Sequence, residues 1–261
     1  MTSLAQIIAG MTADGAAQQA HIPETWMQGR TVFGGLVAAL GLESALRADP
    51  ELPPLRSAQM MFMAPPASEA RFEAEILRRG RSTGFVGLTC ESAGKTCARG
   101  TFVFGAPRES EVRHDRFPLP GHLPGPEDSR LVPPRDNGPA FFHNFEVRRA
   151  AGALPVSGAT EPEFHLWVRL NDRADLAPVI AMTCIADCPP PAALTAMTAP
   201  APVATISWQL DVARIPERVE WVLLHSTSQA AGDGYSVQNM DLWSPEGYRI
   251  AGARQMVAIF G

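Results

Sequence analysis

Short runs rich in β-branched and aromatic residues, bounded by proline or glycine, alternate along this chain with a few longer runs of small apolar residues. The first kind predicts strands over 57–63, 70–79, 84–91 and 96–104, with turns at Pro65-Pro66, Gly80-Arg81-Ser82-Thr83-Gly84 and Ser92-Ala93-Gly94. The second kind predicts a helix over 36–47, where alanine and leucine are interrupted only by Glu43 and Ser44. Phe33-Gly34-Gly35 opens that helix. Two glycines there let another group approach the backbone closely and leave amides pointing outward at the positive end of the helix dipole. The helix is expected to lie in the concave face of the antiparallel meander that follows it, the one apolar surface of the right size in this half. Residues 3–8, with Met11, read as a short amphipathic lead-in helix.

Residues 105–139 change character: prolines recur among charged residues without periodicity, which predicts a linker with stiff extended pieces. Beyond it, strands are expected over 141–149, 163–170, 203–212, 220–227, 235–243 and 249–260, and 179–185 reads as a helix or a strand. Ala186-Asp187-Cys188-Pro189-Pro190-Pro191 then reads as the entry to a second buried helix. Prolines are tolerated in a first helical turn, Asp187 is placed to cap it, and Thr195-Ala196-Met197 continues it with no charged face.

The second half repeats the order of the first. Phe104-Gly105 matches Phe260-Gly261, the turn at Gly94 matches the turn at Gly247, and residues 77–82 are matched with 225–229. Two α+β units in one chain follow, each an antiparallel sheet around one helix. The expected division is 1–105, a linker over 106–139, and 140–261.

A chain of 261 residues, 46% hydrophobic, can build a large core. Its net charge of −5, without any dense Lys/Arg run, argues against nucleic acid as a partner and against a polybasic membrane patch. No stretch is long and apolar enough to span a bilayer, and the N-terminus lacks a signal-peptide pattern, so a soluble cytoplasmic protein is expected. Cys90, Cys97, Cys184 and Cys188 have no metal-ligand spacing and read as reduced core thiols. The exposed outer faces of two such sheets point to a homo-oligomer.

Alternation over the last strand puts Gln255 alone among Ala251, Ala253, Val257 and Ile259 on one face. A buried amide needs partners. The matching place in the first repeat carries Phe102. Thr205 begins a strand whose polar face is read as continuing through Ser207, Gln209 and Asp211. The Gly-x-Ser-x-Gly pattern at 80–84 is followed by another strand and not by a helix, so it reads as a hairpin turn, with Ser82 no nucleophile. His143, His165 and His225 sit singly in strand patterns and read as packed or surface side chains.

Several of these residues together resemble the acyl-CoA thioesterase II family. Thr31-Val32-Phe33-Gly34-Gly35 is similar to its Val-Phe-Gly-Gly helix opening, residues 124–128 to its linker, and Ala186-Asp187 to the acid before its second helix. Residues 203–207 are similar to its Thr strand and Arg254-Gln255 to its Gln strand. The Arg-Pro-Gly turn of the family is Ala64-Pro65-Pro66 here. The resemblance implies a double hot-dog fold and hydrolysis of acyl-CoA to free fatty acid and coenzyme A. It also implies a catalytic water held and activated by Asp187, Thr205 and Gln255. No metal or redox cofactor is implied. Backbone amides beside Gly34 and Gly35, or beside Asp187, would serve the oxyanion, and Arg78, Arg79 and Arg81 are candidates for the coenzyme A phosphates. The alternatives are an inactive acyl-CoA-binding protein and a hot-dog enoyl-CoA hydratase or dehydratase.

Overall fold

The computed structural model describes residues 1–172 and 176–260. Gly261, half of the second Phe-Gly pair, lies outside them. In the first half α1 (Leu4–Ala9) precedes a hairpin of β1 (Thr12–Asp14) and β2 (Ala17–His21) and a short pair, β3 (Met27–Gln28) and β4 (Thr31–Val32). Then come α2 (Gly34–Ala48), β5 (Leu55–Phe62), β6 (Glu69–Arg79), β7 (Thr83–Ser92) and β8 (Lys95–Gly105). The second half holds β9 (Arg130–Leu131), β10 (Phe145–Gly152), β11 (Glu163–Leu170), α3 (Pro178–Ala186), β12 (Val203–Val212), β13 (Val222–Gly232), β14 (Tyr235–Trp243) and β15 (Arg249–Ile259).

Thirteen of the strands form one antiparallel sheet in the order β1-β2-β6-β7-β8-β5-β12-β15-β14-β13-β11-β10-β9. Read inward from either end, two outer strands in the first half and three in the second are followed by the same order, β6-β7-β8-β5 and β13-β14-β15-β12. The expectation of two separate sheets is corrected here. β5 and β12 pair edge to edge, Gln59 opposite Gln209, so two edges that would otherwise expose unpaired amides satisfy each other.

The second helix is also corrected. Residues 178–186, not those after Asp187, form it, with Pro178 in the first turn where its missing amide does no harm. Asp187 therefore stands just past the helix end, and the prolines at 189–191 stop the helix. Only a short 3-10 turn, Ala192–Thr195, follows. Likewise 141–149 begins as a 3-10 turn, Ala140–Asn144, before β10. The hairpin between β6 and β7 turns at Gly80, whose amide bonds to Thr83 O, and is matched by the β13–β14 turn at Asp233 and Gly234. The match of 77–82 with 225–229 is thus a misalignment.

Helix α2 is buried nearly all round, from Gly35 through Leu42, and packs on β6, β7 and α3. The proline-rich linker is not loose over its whole length. Trp243 Nε1 donates to Phe117 O at 2.7 Å and Trp167 Nε1 to Pro124 O at 2.9 Å. Leu119 and Leu123 pack onto Trp167, Trp221, Leu223 and Trp243. Alternation along β11 sends Leu166 and Val168 to the core and Trp167 to the other face, so 117–126 is a strap across the outer surface of the sheet. All four cysteines are buried and unbridged. No helix among the described residues is long and apolar enough to cross a membrane.

Candidate active site

Asp187, Thr205 and Gln255 come from three elements and meet at one point. Gln255 Nε2 donates to Asp187 Oδ1 at 3.1 Å and to Thr205 Oγ1 at 2.6 Å. Each reaches this point for a local reason. Asp187 is held where α3 ends. Gln255 sits on the inner face of β15, 4% exposed, as the alternation requires.

Thr205 arrives by a bulge. The β12–β15 register passes from Thr205 opposite Val257 to Ser207 opposite Met256, so Ile206 is an extra residue and the phase of the strand shifts there. The expected common face of Thr205 with Ser207, Gln209 and Asp211 is therefore corrected. Thr205 faces inward, with Trp208, Leu210 and Val212 inward beyond the bulge. Simple alternation cannot anticipate the extra residue.

The glycines of α2 complete the site from the other half. A Cβ on Gly34 would lie 2.7 Å from Asp187 Oδ2, and one on Gly35 would lie 2.6 Å from Cys184 O. Only glycines let the start of α2 come this close to the end of α3. The Gly35 amide donates to the Asp187 carboxylate, which favours its ionised form. Burial acts more strongly the other way and pushes Asp187 up to about 7. The same burial, with Asp187 beside them, holds Cys184 and Cys188 as neutral thiols.

The three side chains line a cavity of about 390 Å³ that is otherwise mostly apolar, with Phe33, Phe141, Phe164, Leu166 and Leu194 in its wall. Phe33 and Phe141 stack with ring centroids 4.1 Å apart. Gln28, Asn137 and the exposed Arg135 belong to the same lining. A wider groove of about 780 Å³ lies near Glu75, Arg99 and Arg254; its lining includes Gln255 but neither Asp187 nor Thr205.

The arginines expected to meet coenzyme A are not at this cavity. Arg78 and Arg81 are exposed around the β6–β7 turn, and Arg79 pairs with Asp49 at 2.8 Å and donates to Glu51 O at 2.6 Å, tying β6 to the end of α2. No histidine is among the described residues that line the cavity. His165 and His225 stack face to face with centroids 4.0 Å apart, and burial and His225 hold His165 down to about 4. Among the described residues, no three His, Cys, Asp or Glu side chains are grouped to hold a metal ion.

Gln238 escaped the sequence reading. It is buried on β14 opposite Gln255, between Ser236 and Met240 on the inner face. The signal was the one that exposed Gln255, a lone amide in the inward row of a strand.

The acyl-CoA thioesterase N-terminal domain model matches residues 22–105 and the acyl-CoA thioesterase C-terminal domain model matches 124–259. No curated protein matches the sequence. A protein of unknown function with the hot dog fold from Alicyclobacillus acidocaldarius superposes at TM-score 0.89 with 21% identity, covering 100% of this chain and 99% of that one. A Thermobifida fusca protein carrying the thioesterase II designation gives 0.86 and 22%, over 100% and 98%. An acyl-CoA thioesterase II from Mycobacterium marinum gives 0.76 and 20%, over 97% of both chains. At such identities the superpositions speak for a shared hot-dog fold, and the domain matches for the activity. With both domains matched in order over most of its length, the chain belongs to the acyl-CoA thioesterase family and is a thioesterase.

Proposed function

We propose that the protein hydrolyses acyl-CoA to a free carboxylic acid and coenzyme A, with Asp187 as the general base. Each half would act as one hot-dog unit of a double hot-dog, the acyl chain lying in the apolar cavity between Phe33 at the entry to α2, β10, β11 and the 3-10 turn at Ala192. The observation that carries this reading is the Gln255 amide bridging Asp187 and Thr205 at the wall of that cavity.

Hydrolysis needs a water placed against the thioester carbon, a group to take its proton, and a donor for the oxyanion. A carboxylate held near 7 is matched to the proton-taking role at neutral pH. Thr205 Oγ1 accepts from Gln255, which leaves its hydroxyl hydrogen to donate to the water or the carbonyl oxygen. Gln255 directs both of its N–H groups at Asp187 and Thr205, so it holds those two in place while they act on water and substrate. Arg135 replaces Arg78, Arg79 and Arg81 as the candidate cation for the coenzyme A moiety, since it belongs to the lining and is exposed.

The absence of histidine from the described lining favours hydrolysis over the Asp/His chemistry of a hydratase. The test is thiol release from saturated and 2-enoyl acyl-CoAs of graded chain length, followed beside the enoyl absorbance. Free thiol from both series supports hydrolysis. Loss of enoyl absorbance without thiol would identify a hydratase, and neither change would identify a binding protein.

A further inference from the structure

The two halves of the sheet show what the site required of the sequence. In β8, Phe102 faces Val86 of β7; in β15, Gln255 faces Gln238 of β14. All four side chains are buried. An apolar pair in one half is thus a pair of primary amides in the other, and buried amides are costly unless every polar atom is bonded.

The bonds have one direction. The Ala192 amide is the first backbone N–H after three prolines, and it can only donate; it reaches Gln238 Oε1 at 2.7 Å. Gln238 Nε2 must then be the donor side, and it points at Gln255 Oε1 at 2.7 Å and Met240 Sδ at 3.3 Å. Gln255 Oε1 is therefore an acceptor, and its Nε2 has to face Asp187 and Thr205. Turned over, Gln255 would set its carbonyl oxygen against the Asp187 carboxylate.

We propose that Gln238 is a positioning residue that relays the direction of the Ala192 amide to Gln255 and so fixes which side of that amide meets Asp187 and Thr205. The inference rests on reading Asp187, Thr205 and Gln255 as the catalytic group.

The test compares wild type, Gln238→Met, Gln255→Met and the double variant in thiol release from acyl-CoA. Methionine keeps the bulk of the side chain and removes the relay. Gln238→Met should lower kcat about tenfold with KM within about twofold, and should add less than about twofold in the Gln255→Met background, because coupled residues are not additive. Fully additive losses, or wild-type kcat in Gln238→Met, would overturn the relay. Asp187→Asn is the control: if it cleaves like wild type, the catalytic reading fails whatever Gln238 does.

A second readout needs no turnover. The side-chain amide NMR signals of Gln255 should move or broaden in Gln238→Met, and unchanged signals would overturn the proposal. Should Gln238→Met not fold, Gln238→Leu also removes both the acceptor for Ala192 and the donor for Gln255. The same loss of kcat is expected of it, and wild-type kcat would again overturn the relay.

Discussion

The amide of Gly35, in the first turn of α2, points at the carboxylate of Asp187, the residue that caps the end of α3. Two helix ends of opposite polarity therefore meet at one acid. The positive end of α2 favours its charge, while the negative end of α3 and burial oppose it. Burial is the larger influence, and Asp187 is left at about 7.

Activity should follow that ionisation. kcat is expected to rise with pH around a midpoint near 7 and to level off above it, because the base acts only when unprotonated. Stability should run the other way. The folded protein holds the Asp187 proton at pH values where the unfolded chain, with an ordinary carboxylate at 3.8, has lost it, so this acid lowers stability as pH rises from roughly 4 to 7. A pH–rate profile beside thermal melts at several pH values checks both signs.

Thr205→Val keeps the shape of the side chain and removes its hydroxyl. A donor aimed at the developing oxyanion or its water is typically worth about 10²-fold in kcat, whereas a single neutral hydrogen bond adds only about 1 kcal/mol to stability. A large fall in kcat with a small change in melting temperature is expected, and a proportionate loss of both would make Thr205 a packing residue.

Gly35→Ala tests the close approach of α2 and α3. Its Cβ would meet the Cys184 carbonyl at 2.6 Å and the Phe33 ring at 2.5 Å. Backbone would have to give way, so a destabilisation of about 1–3 kcal/mol is expected in chemical unfolding. An unchanged midpoint would show the helices to be less tightly apposed.

Trp243→Phe removes the indole N–H that bonds Phe117 O while keeping an aromatic ring on the outer face. The strap should loosen, and limited proteolysis within 106–123 should speed up with little change in thioester cleavage. Equal proteolysis rates would mean that Leu119 and Leu123 hold the strap without it.

Much of this was written openly in the chain. Strands β5 to β8 and β11 to β15 announce themselves by residue type and by the turns between them, and Gln255 by alternation. What stayed hidden depends on contacts across the chain. Asp187 looked like the start of a helix because prolines suit a first turn, but they suit the exit from a helix as well. Ile206 is a bulge only by virtue of its partner strand. β1 and β2 are short and poor in β-formers, and they exist because β6 offers an edge. Arg79 is a phosphate candidate by its charge and its neighbours in the chain, and its pairing with Asp49 at 2.8 Å is visible only in the fold.

The most direct test of the central claim is the rate of thiol release from acyl-CoA by Asp187→Asn against wild type at pH 8, with melting temperatures measured alongside. The account predicts a fall in kcat of about 10²-fold or more, as expected when a general base is removed. It also predicts a melting temperature held or raised, because a neutral amide replaces a buried carboxylate. Cleavage at the wild-type rate by a folded Asp187→Asn protein would contradict it.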